Sequence, residues 1–423
     1  MGIELGLSRI STLLSKLGNP QLTSNYIHVA GTNGKGSVCA YLSSILSTST
    51  DFKIGRFTSP HLIYKYDSVT LNNRPVAKDI FYQVENEIIS INKRYDIGAT
   101  EFEILTATAF KIFNLENVDI AVMEVGLGGR EDSTNVIIPA EFNKEGKIVK
   151  KGVLATGITK IGMDHENILG STLVEIAYQK AGIIKPNTVN VIDGTNEQDV
   201  LSLVSEISGK LGSENHEINP SSKDINTSFG TINLFESPLK GDYQLQNISL
   251  ALKIVDLITP GLVRTYPSQT HISHQSILKG VQSTSWPGRL QTVQYKDKEI
   301  LLDGAHNGSA AIELKKYIDS TYNDEPITFI LAVTKGKDLA PLLSQLIKPQ
   351  DNIIVTNFGI VDGMPWIEAN STDDLARECG KYTGNVSINE SIEDILNNVK
   401  EKNVIVCGSL YLVGEVLRLI KEY

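Results

Sequence analysis

The residues with the most chemical potential stand together in YIHVAGTNGKGS, residues 26–37. Tyr26 to Ala30 read as a short buried strand, and Val38, Leu42 and Ile45 then recur at helical spacing. Between them lies a turn with Gly31, Gly34 and Gly36, carrying Lys35 and Ser37. Strand, glycine turn and helix in that order make a phosphate-binding loop. Glycines let backbone N–H groups approach phosphate oxygens, and the helix N-terminus adds partial positive charge. Lys35 would reach the outer phosphates, and Ser37 would offer its hydroxyl to Mg²⁺. The spacing is tighter than G-x-x-x-x-G-K-[ST], with an extra glycine between Lys35 and Ser37. The alternative is a glycine-rich turn holding an incidental lysine.

Ser59, Glu124 and His165 also fall just beyond the carboxyl ends of expected strands, where ligands gather in open α/β sheets. A hydroxyl, a carboxylate and an imidazole beside a phosphate loop suggest a Mg–ATP shell, although Mg²⁺ prefers oxygen ligands to histidine. Glu124 closes an apolar run, VDIAVMEV, where an unpartnered carboxylate is costly. By composition alone, His165 beside Asp164 reads equally as a surface histidine. Later in the chain, LLDGAHN puts Asp303 and His306 after another apolar strand, and Asp303 can also cap the next helix. Arg289, beside Pro287-Gly288, is placed to swing onto phosphates; its bland reading is an inter-domain ion pair.

Positioning these residues takes a long alternation of strands and helices. Apolar spacing predicts a helix over 4–17 and strands at 53–57, 68–71, 118–125, 153–158 and 188–192. Thr100 and Glu103 form a capping-box pair at the head of another helix. Residues 139–152 read as a surface loop, and 212–230 as polar and loop-rich. Helices are expected near 243–257 and 272–282. After WPGR (286–289), which looks like a hinge, the pattern restarts. It places strands at 299–302, 327–333, 352–356 and 403–407, with helices at 308–320, 338–347, 371–379, 391–400 and 409–421. That alternation predicts an α/β protein with two domains, 1–285 and 286–423. Gly126-Leu-Gly128-Gly129 is not a dinucleotide fingerprint, because Glu131 stands where the third glycine belongs.

Composition narrows the classes. A net charge of −10 over 423 residues argues against nucleic-acid binding. The three cysteines, Cys39, Cys379 and Cys407, are far apart and form neither a disulfide framework nor a zinc site. No run is apolar enough to span a membrane. Glu4 and the lack of an apolar core argue against a secretory signal, and Gly6 breaks the myristoylation pattern after Gly2. A cytoplasmic monomer is the expectation.

Assembled in order, the motifs are GTNGKGS, TSPHL (58–62), TEFE (100–103), EVGLGGREDSTNV (124–136), DHENILG (164–170), QKAGIIKP (179–186), DYQLQN (242–247), WPGR, DGAHN (303–307) and GSLYLVGE (408–415). With these the chain resembles the folylpolyglutamate synthase/dihydrofolate synthase group of the Mur ligase family, over nearly its whole length. IELGLSRI, DGAHNGSAA and GMPW are similar to the fungal monofunctional dihydrofolate synthase branch. The resemblance implies an N-terminal P-loop ATPase domain with a mostly parallel sheet and a smaller C-terminal Rossmann-like α/β domain. It implies an ATP-dependent amide ligase that joins 7,8-dihydropteroate to L-glutamate through an acyl phosphate. Carried across, Gly34, Lys35, Gly36 and Ser37 bind ATP phosphates. Ser59, Glu124 and His165 ligate Mg²⁺, while Asn247, Arg289, Asp303 and His306 meet the nucleotide. Gly31, Thr32, Asn33, Thr100, Glu101, Phe102, Glu103, Glu131, Asp132 and Ser133 line the substrate. Lys35, Glu124, His165 and Lys180 would carry the catalysis, and Lys180 matches a lysine that relatives carry as a carbamate. Asp67 and Ser68 stand where folylpolyglutamate synthases have arginines, which lowers the case for a polyglutamate-extending enzyme. From other classes, a P-loop switch or motor would need a Walker-B aspartate where Glu124 stands, and intact Lys35, Ser37 and Glu124 argue against a non-catalytic pterin-binding relative.

Overall fold

The computed structural model describes residues 5–420. The chain forms two compact units. The first holds the chain up to Pro60, Tyr66–Pro238 and Gln244–Ser285; the second holds His61–Lys65, Leu239–Tyr243 and the chain from Trp286 onward. A single cut at residue 285 therefore does not describe the division. Two five-residue segments are drawn into the second unit because Leu62, Ile63 and Tyr243 pack against its apolar clusters.

In the first unit the strands in chain order are β1 (Asn25–Ala30), β2 (Ile54–Phe57), β3 (Val69–Leu71), β4 (Arg74–Pro75), β5 (Ile120–Glu124), β6 (Glu141–Phe142), β7 (Ile148–Lys150), β8 (Val153–Ile158), β9 (Val189–Asp193) and β10 (Glu214–Ile218). Eight of them form one sheet in the order β10-β9-β8-β1-β5-β2-β3-β4. From β10 to β2 every pairing is parallel; β3 and β4 add an antiparallel edge. Parallel strands are buried on both faces, and β1, β2, β5 and β8 are buried at every position. One apolar cluster joins helices Ser8–Lys16, Lys78–Arg94 and Glu101–Leu115 to Tyr26, Phe57 and Met123. Its centre includes Tyr26 edge-on to Phe110, with ring centroids 5.8 Å apart. Helices Lys35–Ser49, Gln244–Thr265 and His274–Gln282 pack on one another elsewhere on the sheet.

The polar stretches hold more regular structure than their composition suggested. Residues 139–152 contain the β6–β7 hairpin, turned by Asn143, whose side-chain oxygen accepts the Glu145 and Lys147 amides. Residues 212–230 supply β10 at the sheet edge, followed by the hairpin of β11 (Asp224–Thr227) and β12 (Gly230–Asn233). Edge and hairpin strands keep polar residues because they bury little, so they lack the apolar runs that mark central strands. The helix expected over 4–17 runs Ser8–Lys16, and the helix near 243–257 continues to Thr265 through Pro260. Gly2, Glu4 and Lys421 lie outside the described residues.

The second unit is a six-stranded sheet. Its strands are β13 (Gln291–Tyr295), β14 (Lys298–Leu302), β15 (Thr328–Leu331), β16 (Asn352–Val355), β17 (Val386–Ile388) and β18 (Val404–Cys407). The order is β13-β14-β18-β15-β16-β17, with only β13 antiparallel. β13 and β17, both edge strands, were absent from the sequence pattern. All three cysteines are buried and free, so none of them joins a disulfide.

Phe113 is wholly buried against the backbone of β2; a Cβ on Gly55 would lie 2.7 Å from its ring. Phe113→Ala is expected to destabilise the first unit by about 3–5 kcal/mol. Urea unfolding followed by far-UV circular dichroism checks this, and a midpoint unchanged from wild type would contradict the packing described.

Candidate active site

β8, β1, β5 and β2 are neighbours, and their carboxyl ends finish nearly level: Val29 pairs with Glu124 and Gly157, and Phe57 with Met123. The chain leaves β1 through Gly31, at φ +148°, where a Cβ would lie 1.8 Å from the Thr159 hydroxyl. Gly34 has the left-handed φ of +94°, and a Cβ there would meet the Asn247 side chain at 2.3 Å. Both positions therefore demand glycine. The loop is tied to the segment after β8. Thr32 and Asn33 amides donate to the Lys160 carbonyl at 2.9 and 3.3 Å, and the Thr32 hydroxyl bridges the Gly162 amide and carbonyl at 3.0 and 3.1 Å. Thr32 thus spends its hydroxyl on holding the loop.

Helix Lys35–Ser49 begins immediately, so its first N–H groups have no helical partners and face the loop. The Ser37 hydroxyl receives the Gln244 amide at 3.4 Å, and the Gln244 oxygen receives the Asn247 amide at 3.0 Å. Gln244 is wholly buried and links Ser37 to Asn247. Sequence reasoning left it out of the site. The signal was its place three residues before Asn247, on the same face of the helix.

Glu124 is buried at the end of β5. Its carboxylate accepts the Ser59 amide at 3.3 Å and lies 3.9 Å from the Lys35 ammonium, which also donates to the Thr32 carbonyl at 3.2 Å. Ser59, Glu124 and Lys35 are thus brought together. His165 sits on the turn after β8 with a left-handed φ of 53°, its amide on the Asp164 carboxylate at 2.9 Å and its ring 3.8 Å from the same oxygen. Among the described residues no group of three or more His, Cys, Asp or Glu side chains is placed to hold a metal ion. The available donors are oxygens of Ser37, Ser59 and Glu124. This set suits a hard ion that completes its shell with water and phosphate.

Lys180 is buried at the end of helix Leu173–Ala181, and its ammonium donates to the Gly31 carbonyl at 2.8 Å. Burial, and then the nearby Lys35 charge, pull its pKa down to about 7 against the opposing Asp164 and Asp132. The glycine turn after β5 lies against this helix; a Cβ on Gly129 would be 2.8 Å from the Lys180 carbonyl. Asp132 is buried, with one oxygen accepting from the Leu127 amide at 2.8 Å and the other from the Thr134 amide at 3.0 Å and the Thr134 hydroxyl. Burial raises its pKa and those bonds resist the rise. The Ser133 and Thr106 hydroxyls are hydrogen-bonded at 2.7 Å. Glu131 is exposed. Thr100 and Glu103 form the expected capping box, and Glu103 also accepts from Arg9 at 3.0 Å. Phe102 packs its ring under Gly126, and Glu101 is exposed.

In the second unit, Asp303 does not cap the following helix; Asn307 does, accepting the Ala310 amide at 2.9 Å. Asp303 instead holds the Leu290 and Ala305 amides at 2.9 and 2.8 Å, which fixes the turn carrying Arg289. Burial raises its pKa, and Arg289 opposes the rise. The Arg289 guanidinium lies against Gly304, where a Cβ would be 2.5 Å away. The His306 ring meets the Gly304 carbonyl at 2.8 Å.

Comparison with known proteins places this geometry. The family described as dihydrofolate synthetase, C-terminal domain, matches residues 288–419. Dihydrofolate synthetase of Saccharomyces cerevisiae is 42% identical over 99% of this chain and 98% of its own length. The probable folylpolyglutamate synthase of the same yeast is 30% identical, over 98% of this chain and 96% of that one. The solved structure of Escherichia coli FolC in complex with DHPP and ADP aligns with a TM-score of 0.79 at 25% identity, covering 100% of this chain and 94% of that one. With the phosphate loop, Glu124 and Lys180 gathered at one sheet edge, and likeness at this level over its whole length, the chain belongs to the dihydrofolate synthetase/folylpolyglutamate synthase family of ATP-dependent ligases.

Proposed function

We propose that this chain is a dihydrofolate synthase. It joins the carboxylate of 7,8-dihydropteroate to the amino group of L-glutamate, with ATP converted to ADP and phosphate. The observation that carries the choice of product is the 42% identity to a dihydrofolate synthetase, against 30% to the probable folylpolyglutamate synthase of the same yeast. Folate-type substrate and glutamate follow from the family; dihydropteroate as the carboxylate substrate and a monomeric state are proposed beyond it.

A carboxylate is a poor acyl donor because its leaving group would be an oxide. Transfer of the γ-phosphoryl group of ATP to it gives an acyl phosphate, whose leaving group is phosphate. The glutamate amine attacks, the tetrahedral intermediate collapses, and phosphate departs. The protein contributes alignment and charge neutralisation. The amides at the head of helix Lys35–Ser49 hold phosphate oxygens, and Lys35, only loosely paired with Glu124, turns its ammonium onto the transferring group. Asn247 borders the loop at Gly34, and Arg289, Asp303 and His306 are assigned to the nucleotide. Ser59 and Glu124 offer oxygens that fit Mg²⁺, with His165 as a further ligand. Mg²⁺ would supply charge neutralisation on the β- and γ-phosphates. Thr100–Glu103 and Glu131–Ser133 are assigned to the pterin, for which the Phe102 ring offers an apolar wall. Lys180, buried and free of its proton over part of the neutral range, is chemically able to take up CO₂ as a carbamate.

Product analysis with purified protein, Mg–ATP and L-glutamate tests the choice. Dihydrofolate from 7,8-dihydropteroate, and no product from tetrahydrofolate, is the expected result. Product from tetrahydrofolate alone would make the chain a folylpolyglutamate synthase, and product from both a bifunctional enzyme. Lys35→Ala is expected to lower turnover by about a hundredfold or more, on the scale of losing one transition-state charge contact, and full turnover would remove Lys35 from the mechanism.

Lys180 also yields a stability test. Its folded pKa, about 7, lies below the ordinary lysine value of 10.5, so the unfolded chain binds more protons between the two. The penalty it places on the fold is complete below pH 7 and fades as pH rises towards 10.5. Lys180→Met is therefore expected to raise the unfolding midpoint more at pH 6 than at pH 9 while losing activity. Equal gains at both pH values would contradict the buried ammonium.

A further inference from the structure

The short turn Ser133–Val136 makes side-chain bonds that neither phosphate binding nor metal binding uses. Asn135 is nine-tenths buried. Its amide nitrogen donates to two carbonyls at once, Arg130 at 2.9 Å and Gly182 at 3.0 Å. The first belongs to the glycine turn after β5; the second lies just past the helix that ends with Lys180 and Ala181. The Asn135 side-chain oxygen and its own carbonyl accept the half-buried Lys185 ammonium at 2.8 and 3.1 Å. A backbone bond from the Arg130 amide to the Gln179 carbonyl, at 2.8 Å, closes the same junction. Both N–H donors and the oxygen of the carboxamide are thus engaged by groups on one side or the other of the seam between turn and helix.

The preceding residue anchors the turn from the opposite side. The Thr134 hydroxyl donates to Asp132, so its oxygen must accept from Nε2–H of His28, 2.8 Å away in the middle of β1. That fixes the neutral His28 tautomer and leaves Nδ1 without a proton, which agrees with Nδ1 having no hydrogen-bond partner among the described residues. Burial favours the same neutral ring. β1, the glycine turn and the Lys180 helix are therefore held by two adjacent side chains, and Lys180 reaches back across the junction to Gly31.

We propose that Asn135 is a positioning residue for the ligase reaction: by joining the Arg130 and Gly182 carbonyls it sets where the Lys180 side chain stands beside the phosphate loop. The inference rests on the assignment of Lys180 to the catalytic machinery. Asn135→Asp tests it with little change of shape, because it keeps an acceptor for Lys185 and loses both donors. Asn135→Ala serves as the second variant. Each is combined with Lys180→Ala in a double-mutant cycle, read by steady-state dihydrofolate formation and thermal unfolding.

Asn135→Asp and Lys180→Ala should each lower kcat by about tenfold or more, while the double variant stays within about twofold of Lys180→Ala alone. The KM for ATP should change by less than about threefold in Asn135→Asp, since loss of an oriented group falls on kcat. A merely structural asparagine would give multiplicative losses in the double variant, and that result would overturn the proposal. So would failure of both Asn135 variants to fold, which would assign the residue to the core. Wild-type turnover in Lys180→Ala would sink the catalytic assignment of Lys180 itself, an outcome distinct from additivity.

Discussion

The Lys180 ammonium rests on the Gly31 carbonyl at 2.8 Å, buried, at the point where β1 gives way to the phosphate loop. A buried ammonium is tolerated only where acceptors and counter-charges are fixed in advance. Here the acceptor is a backbone carbonyl at the end of a wholly buried strand, and the counter-charges are Asp132 and Asp164 from two other loops. Those loops meet only because β8, β1 and β5 are parallel neighbours of nearly equal reach. A slip of one residue in either pairing would carry Glu124 or Thr159 to the opposite face of the sheet and leave the ammonium without its surroundings.

The same constraint explains the glycines. Gly31 has no room for a side chain because Thr159 must close over it, and Gly34 has none because Asn247 does. The loop is thus shaped from outside, by the turn after β8 and by helix Gln244–Thr265, as much as by its own flexibility. A helix that starts at Lys35 directly after a left-handed Gly34 reaches the phosphate position with fewer intervening residues.

What the sequence made legible was the buried centre. Tyr26–Ala30, Val118–Val125 and Val153–Ile158 are mostly apolar runs, and β1, β5 and β8 fall on them because central parallel strands are buried on both faces. The Thr100–Glu103 capping box was legible because its signature is local. The edges were not. β10, the β11–β12 hairpin and β6–β7 are polar and short, and nothing local distinguishes them from loops. The roles of polar residues inside the site were legible only in part. Asp303 read as a helix cap, yet it serves the turn bearing Arg289, and Asn307 caps instead. Gln244 was marked only by its spacing from Asn247, and the bonds that give Gln244 and Asn135 their roles reach partners 207 and 47 residues away in the chain.

Enclosure and charge work against each other at this edge of the sheet. Lys180, Glu124 and Asp132 are withdrawn from water and Lys35 is partly so, and of these four Glu124 and Lys35 approach as an ion pair, at 3.9 Å. A pair that loose leaves the Lys35 ammonium able to turn to an incoming phosphate, whereas a close bidentate pairing would have to be broken first. Asp132 is the contrary case: three hydrogen bonds hold its carboxyl group against the glycine turn and oppose the rise that burial gives its pKa. Fixed carboxylates beside one loosely paired ammonium, Lys35, suit a phosphoryl-transfer site, because charge arrives with the nucleotide and must be met without rebuilding the walls. The stability given up by burying these groups is recovered in the apolar core of the first unit, where Tyr26 of β1 and Phe57 of β2 cluster with Phe110 and Phe113 of helix Glu101–Leu115.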